Sequence, residues 1–222
     1  MKRIPYGHQG VGVAELFAVT KALKSSFITT GPLIDKFEYE LEKFVGSPTI
    51  VVSSGTAALH VAYHAIGLQT GDEVISPPIT FIATQAAANF FGAKTIFADV
   101  LPDTLTIDPS EVKRKITSRT KAIVAVDYAG HPAELDELKK IANKYGIYLV
   151  EDAAHSIGSL YRGKSVGSIA DVTTFSFYAT KNITTGEGGA IASPHKKLLN
   201  RAKIFSRQGV TRPIPNSKYA KN

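Results

Sequence analysis

The stretch TTFSFYATKNITTGEGGAI, 173–191, places a lone lysine, Lys181, just past an apolar run that ends near a serine, Ser176. An amine at a strand end can form a Schiff base with an aldehyde, or it can be a solvated loop charge. A second stretch, YLVEDAAHS, sets Glu151 and Asp152 inside an apolar run. Alternation along a strand sends the two carboxyls to opposite faces. A carboxylate buried at a strand end needs a partner, so Asp152 suits a cationic ligand atom, a helix cap or a structural salt bridge. In SSGTAALH a strand runs through Gly55 and Thr56 into a helix. Free N–H groups and the dipole at such a start favour phosphate, although a plain strand-to-helix turn reads the same way. In PITFIAT, Phe81 stands where a helix begins and could stack on a flat ligand or fill the core. A phosphate cradle, an aromatic platform, a buried carboxylate and a lysine together match the needs of pyridoxal phosphate.

Positioning four such groups requires strand ends that converge. Apolar runs of strand length occur at 49–54, 73–77, 94–100, 121–128, 148–154, 172–177 and 190–193. Their unbroken Val/Ile/Phe content suits strands covered on both faces. Helix-like segments lie between them at 56–67, 81–92 and 132–146, the first ending in a stop glycine and the last opening on Pro132. A further helix is expected after Ser193 as cap, with Pro194 at its first position and Gly209 as its stop. YRGKSVGS, 161–168, reads as a turn or short hairpin. The alternation predicts an α/β fold: a mostly parallel seven-stranded sheet between helices, an α/β/α sandwich. Ligands of such sheets bind outside the carboxyl ends of the strands. GHQGVG, 7–12, follows no strand and is no dinucleotide fingerprint.

Composition narrows the field. The 222 residues are 44% hydrophobic and 20% charged, ordinary for a globular protein. There is no cysteine, and the six histidines form no ligand pair, so neither a disulfide framework nor a metal site is expected. No signal-peptide pattern or membrane-length apolar run is present, which makes the cytoplasm the expected compartment. The net charge of +7 resides in the tail. Glu187 is the last acid, and eight cations follow it. That tail carries no nucleic-acid motif, so no nucleic-acid partner is expected.

With these motifs in view, the sequence resembles the DegT/DnrJ/EryC1/StrS sugar aminotransferases, which have the aspartate-aminotransferase fold, fold type I. FITTGPLIDKFE, SSGTAALHVA, GDEVISPPITFIAT, VDYAGHPAELDEL, EDAAHSIGS and FSFYATKNITTGEGG carry the likeness, in order and at the family's spacing, up to about Gly209. The resemblance implies that Lys181 is the Schiff-base lysine and proton shuttle, and that Asp152 pairs with the pyridinium nitrogen. It places Phe81 and Ala154 on the two ring faces, and Gly55, Thr56 and Ser176 on the phosphate. His155 would lie near the ring hydroxyl. It further implies a nucleotide-linked keto-sugar as substrate, with a 4-keto group favoured, glutamate as amino donor and a homodimer. Relatives that deoxygenate sugars replace the lysine with histidine, so Lys181 favours transamination over a sugar dehydratase.

Family members are longer. The expected organisation is an N-terminal arm at 1–30, a cofactor-binding large domain at 31–209 and a loose basic tail at 210–222, without the C-terminal small domain. A shortened, non-catalytic interaction or regulatory protein is the rival expectation.

Overall fold

The computed structural model describes residues 7–211. Its elements run, in chain order, α1 Val13–Leu23, α2 Pro32–Val45, β1 Thr49–Val52, α3 Gly55–Ala65, β2 Glu73–Ser76, α4 Ala83–Phe90, β3 Lys94–Phe97, α5 Pro109–Lys115, β4 Thr120–Val126, α6 Leu135–Tyr145, β5 Tyr148–Asp152, β6 Leu160–Tyr161, β7 Lys164–Ser165, β8 Val172–Ser176, β9 Gly189–Ala192 and α7 Lys196–Ser206. Seven of the strands form one sheet in the order β1-β9-β8-β5-β4-β2-β3. β2, β3, β4, β5 and β8 pair in parallel, and β9 runs against both of its neighbours, β8 and β1. The expected seven-stranded, mostly parallel sheet flanked by helices is the observed one.

The helices cover both faces because the strands are apolar on both. On one side Ala58, Leu59, Ala62 and Tyr63 of α3 pack with Ala87 and Ala88 of α4 against Val124, Val150 and Val172. On the other, Leu135, Leu138 and Ile141 of α6 meet Ile75, Ile123 and Leu149. Leu41 and Val45 of α2 close the far end over Phe175 and Phe177. The alanines of α3 let that helix lie close to the sheet, and Tyr63 is fully buried, with its hydroxyl donating to the Thr84 carbonyl at 2.8 Å.

Three helices, α1, α2 and α5, lie in stretches where the sequence reading places no element, and three helix starts differ from it by more than one residue, the first being α4, which begins at Ala83 rather than Phe81. α6 begins at Leu135 rather than Pro132, because Ala133 N–H is taken by the Asp127 carboxylate before the helix opens. α7 begins at Lys196 with His195 at its cap position. Ser193 does not cap it: its hydroxyl donates to the Asp171 carbonyl at 2.7 Å and accepts from His195 N–H, which forms a turn ahead of the helix. The 161–168 hairpin is present as β6–β7, with Arg162 and Gly163 both at positive φ in the two-residue turn. Within the expected N-terminal arm, α1 buries none of its residues and exposes Leu16, Phe17 and Leu23. The expected loose tail lies outside the described residues from 212 onward. Among the described residues no helix is long and apolar enough to cross a membrane.

Candidate active site

The parallel register brings the carboxyl ends of the strands to one rim. Val126 of β4 stands beside Asp152 of β5, and Asp152 beside Thr174 of β8. Ser176 stands beside Gly189, and Gly189 beside Val52 at the end of β1. A cavity of about 570 Å³ opens there. Gly55, Thr56, Phe81, Asp152, Ala154, His155, Ser176 and Lys181 all line it, so the structure gathers every residue singled out in the sequence. Thr80, Asp127, Tyr128, Tyr178 and Glu187 line it as well and had not been singled out.

One wall is the start of α3. Ser54 caps it, accepting from Ala57 N–H at 3.1 Å, while Ala58 N–H bonds the Ser54 carbonyl. That leaves the N–H groups of Gly55 and Thr56, the first two residues of the helix, with no protein acceptor among the described residues. Residue 55 has no room for a side chain. A Cβ there would stand 2.8 Å from Ser176 Cβ and 3.0 Å from its Oγ. Helix start and Ser176 hydroxyl therefore converge on one spot, which suits a phosphate.

Asp152 forms the floor. It is buried, and it enters no ion pair among the described residues. Thr84 Oγ1 donates to its Oδ2 at 2.7 Å, and Ala154 N–H reaches Oδ1 at 3.3 Å. Thr80 and Thr84 hydroxyls are 2.8 Å apart, and because Thr84 donates to Asp152, Thr80 donates to Thr84. Burial pushes the Asp152 carboxyl above its usual range, while the Thr84 and Ala154 bonds and nearby His155 and Lys181 pull it back. Such a carboxylate still lacks a hydrogen-bonded cation.

Lys181 is half-buried on the loop between β8 and β9. Phe177 anchors that loop: its N–H bonds the Gly188 carbonyl at 2.8 Å, its carbonyl accepts from Thr185 N–H, and its ring packs on Phe37. Lys181 N–H then closes a turn on the Tyr178 carbonyl at 3.0 Å. Burial lowers the Lys181 amine below its ordinary value, and Asp152 partly restores it. Burial also lowers His155, and Lys181 lowers it further, against an opposing pull from Asp152. Phe81 stands 73% exposed at the mouth, outside α4 and outside the core. The glycine-rich stretch at 7–12 is not part of the cavity wall, although Gly7 lies against Thr180 of the Lys181 loop.

These features fit pyridoxal phosphate. The free N–H pair and Ser176 suit the phosphate, and the buried, unpaired Asp152 suits a protonated ring nitrogen. Lys181, with its amine biased toward the neutral form, suits the aldehyde.

The comparisons with known proteins agree. Residues 11–222 match the DegT/DnrJ/EryC1/StrS aminotransferase family. UDP-4-amino-4,6-dideoxy-N-acetyl-beta-L-altrosamine transaminase of Campylobacter jejuni is 40% identical over 213 residues, which cover 94% of this chain and 56% of that protein. Among solved structures, Helicobacter pylori PseC, an aminotransferase involved in pseudoaminic acid biosynthesis, superposes with a TM-score of 0.92 at 33% identity, covering 97% of this chain and 59% of that one. Spr1654 of Streptococcus pneumoniae, solved in a PLP form, gives a TM-score of 0.87 at 32% identity, covering 91% of this chain and 57% of that one. The chain spans about half the length of the curated relatives it matches. It belongs to the DegT/DnrJ/EryC1/StrS aminotransferase family.

Proposed function

We propose, with that membership as premise, that the protein is a pyridoxal-phosphate aminotransferase acting on a nucleotide-linked keto-sugar. The observation that carries the reading is the single cavity that brings Lys181, the unpaired Asp152 and the open start of α3 together. The Campylobacter relative is named for an amine at sugar carbon 4, which supports a 4-keto substrate. Glutamate is the proposed amino donor. Residues 31–209 are the proposed cofactor-binding domain. A homodimer is proposed because α1 presents Leu16, Phe17 and Leu23 with nothing packed on them among the described residues. The same proposal places the protein in the cytoplasm.

Gly55 and Thr56 would hold the phosphate with backbone N–H groups, and Ser176 with its hydroxyl. Phe81 and Ala154 would pack on opposite faces of the ring, and His155 would stand near its hydroxyl. When bound, pyridoxal phosphate supplies a conjugated electron sink for the electrons of a broken C–H bond. Asp152, with its carboxylate fixed by Thr84, would hold a proton on the ring nitrogen. The Lys181 amine would carry a proton between the substrate carbon and the cofactor carbon, a role that needs its neutral form; burial favours that form.

The test is spectroscopic first and catalytic second. Purified protein should absorb in the visible with pyridoxal phosphate, and Lys181→Ala should lose that band. Glutamate should bleach the wild-type band, and a nucleotide-linked 4-keto sugar should restore it. A wild-type protein that stays colourless after reconstitution refutes the cofactor, and bleaching with no restoration by any keto-sugar refutes the substrate class.

A further inference from the structure

Two buried carboxyls are left unused by the proposed chemistry: Asp127, in the cavity wall, and Glu151, behind it. Asp127 follows β4, and Glu151 is in β5, where it stands beside Ala125 in register. Glu151 alternates with Asp152 and so faces the other side of the sheet, the side that Asp127 shares with Ala125. Asp127 is 1% exposed and Glu151 is fully buried. Neither enters an ion pair among the described residues. The charged groups acting on them are each other and Asp152, whose own cationic neighbours, His155 and Lys181, stand on the cavity side.

Their hydrogen bonds differ. Both oxygens of Asp127 accept: Oδ2 from the Ser156 hydroxyl at 2.6 Å, in the range of a charge-assisted bond, and Oδ1 from Ala133 N–H at 3.1 Å. Glu151 Oε2 accepts from the Thr173 hydroxyl at 2.7 Å, and Gly167 N–H adds some support for charge. Glu151 Oε1 accepts from no N–H or hydroxyl, the one such buried side-chain atom among the described residues, and the Asp127 carboxyl is the group within hydrogen-bonding reach of Glu151. An orphaned oxygen costs more on a carboxylate than on a neutral acid.

Asp127 also ties two loops together. Through Ala133 it fixes the turn that holds Tyr128, and through Ser156 it fixes the turn that holds Ala154 and His155. The same two turns meet again where Ser159 Oγ donates to the Gly130 carbonyl at 2.9 Å. Ala129 and Gly130 are both at positive φ, and a Cβ on Gly130 would press on the His155 carbonyl at 3.0 Å.

We propose that Asp127 is a positioning residue for the cofactor cavity, and that Glu151 behind it stays protonated so that the pair carries one negative charge. That charge holds the Tyr128 and His155 turns in place through the Ala133 and Ser156 bonds. The inference rests on the cofactor reading for the use of the cavity, while the placement of the proton stands apart from it. Burial raises both carboxyls, Asp127 well above its ordinary value and Glu151 to about 7, and it is the two donors on Asp127, Ser156 and Ala133, that settle the charge there and leave the proton to Glu151.

The test uses full-length protein with pyridoxal phosphate as the probe. Thermal midpoints of cofactor-free wild type and Glu151→Gln are compared from pH 4 to 8. Folded Glu151 keeps its proton to about pH 7, whereas the unfolded chain loses it at about 4.3. Its contribution is thus complete below the lower value and is lost as pH rises to the higher one. The variant, which cannot ionise, should gain on wild type across that window, and the gap should stay level above it. At pH 6, Asp127→Asn should weaken pyridoxal phosphate binding at least tenfold, Ser156→Ala should reproduce part of that loss, and Glu151→Gln should stay within twofold. A gap that does not change with pH, or a Glu151→Gln loss equal to that of Asp127→Asn, overturns the proposal. Failure of wild type to bind the cofactor refutes the function above, and the pH gap then decides the proton placement alone.

Discussion

Replacing Gly55 by alanine tests whether the start of α3 and the Ser176 hydroxyl form one cradle. The new Cβ would lie 2.8 Å from Ser176 Cβ, 3.0 Å from Oγ and 3.4 Å from Cα. Carbon atoms rest at about 3.5–4.0 Å, so the two elements must part by about 0.7 Å or more. Neither yields easily. Ser176 is fixed in the ladder beside Gly189, and Gly189 itself abuts the Ser54 carbonyl, so closely that a Cβ on it would meet that oxygen at 2.4 Å. Overpacking of this kind costs about 1–3 kcal/mol. If the strain is relieved by separating the phosphate-binding groups, pyridoxal phosphate affinity falls about 5- to 150-fold. The assay is titration of cofactor-free protein with pyridoxal phosphate by absorbance, alongside its thermal midpoint. A companion variant sharpens it: adding Ser176→Gly removes both clashing atoms, at a cost of about 0.5–1 kcal/mol for a glycine in a strand. The double variant should recover most of the midpoint and not the affinity, because the hydroxyl is gone. Gly55→Ala with wild-type affinity and midpoint, or a double variant with restored affinity, would refute the cradle.

Asp152→Asn should cost the glutamate half-reaction about 10²- to 5 × 10³-fold, the equivalent of the roughly 3–5 kcal/mol lost when one member of a buried charge pair is removed, read by stopped-flow bleaching. Thr84→Val should slow the same step about 10- to 100-fold, since a hydrogen bond to a charged group is worth about 1.5–3 kcal/mol. Because Thr84 holds the Asp152 carboxyl down, the Thr84→Val loss should deepen toward acid pH; a loss that is flat with pH would contradict the assigned bond. Lys181 is lowered by burial and raised by Asp152, so Asp152→Asn should make the cofactor-free Lys181 amine titrate at still lower pH, measured by pH-dependent trapping with an amine-reactive probe. An upward move would show that the two groups do not interact as described.

The strands were legible because each is a short, continuous apolar run, and such runs in a parallel sheet need no context to be recognised. Lys181, Asp152, Ser176, Gly55 and Phe81 were legible as a set because strand ends in this architecture meet at one rim. Asp127 and Thr84 were not. Asp127 reads as the polar end of a strand, and nothing local says that Ser156 and Ala133 will come to it from two other loops. Thr84 reads as one polar residue in an alanine-rich helix, and its contact with Asp152 spans 68 positions. The shift of the α7 start has the same cause: Pro194 after Ser193 suits a helix opening, but Ser193 is claimed by Asp171 across the sheet. The exposed α1 lacked a signal for a different reason, since its apolar residues cover no part of the described chain.

The reversed direction of β9 has a dynamic consequence. A parallel return from β8 would need a crossover of a dozen or more residues over one face of the sheet. Here the chain leaves Ser176 and comes back at Gly189 in the adjoining strand, about 4.8 Å away, so the lysine hangs on a loop whose two ends are already stapled side by side. Most of the entropy of closing that loop has been settled by the sheet. Lys181 can therefore swing in and out on the timescale of a loop while β8 and β9 stay paired. Amide exchange should show this as fast-exchanging residues 179, 180 and 182–184 between slow ones at Phe175 and Ile191.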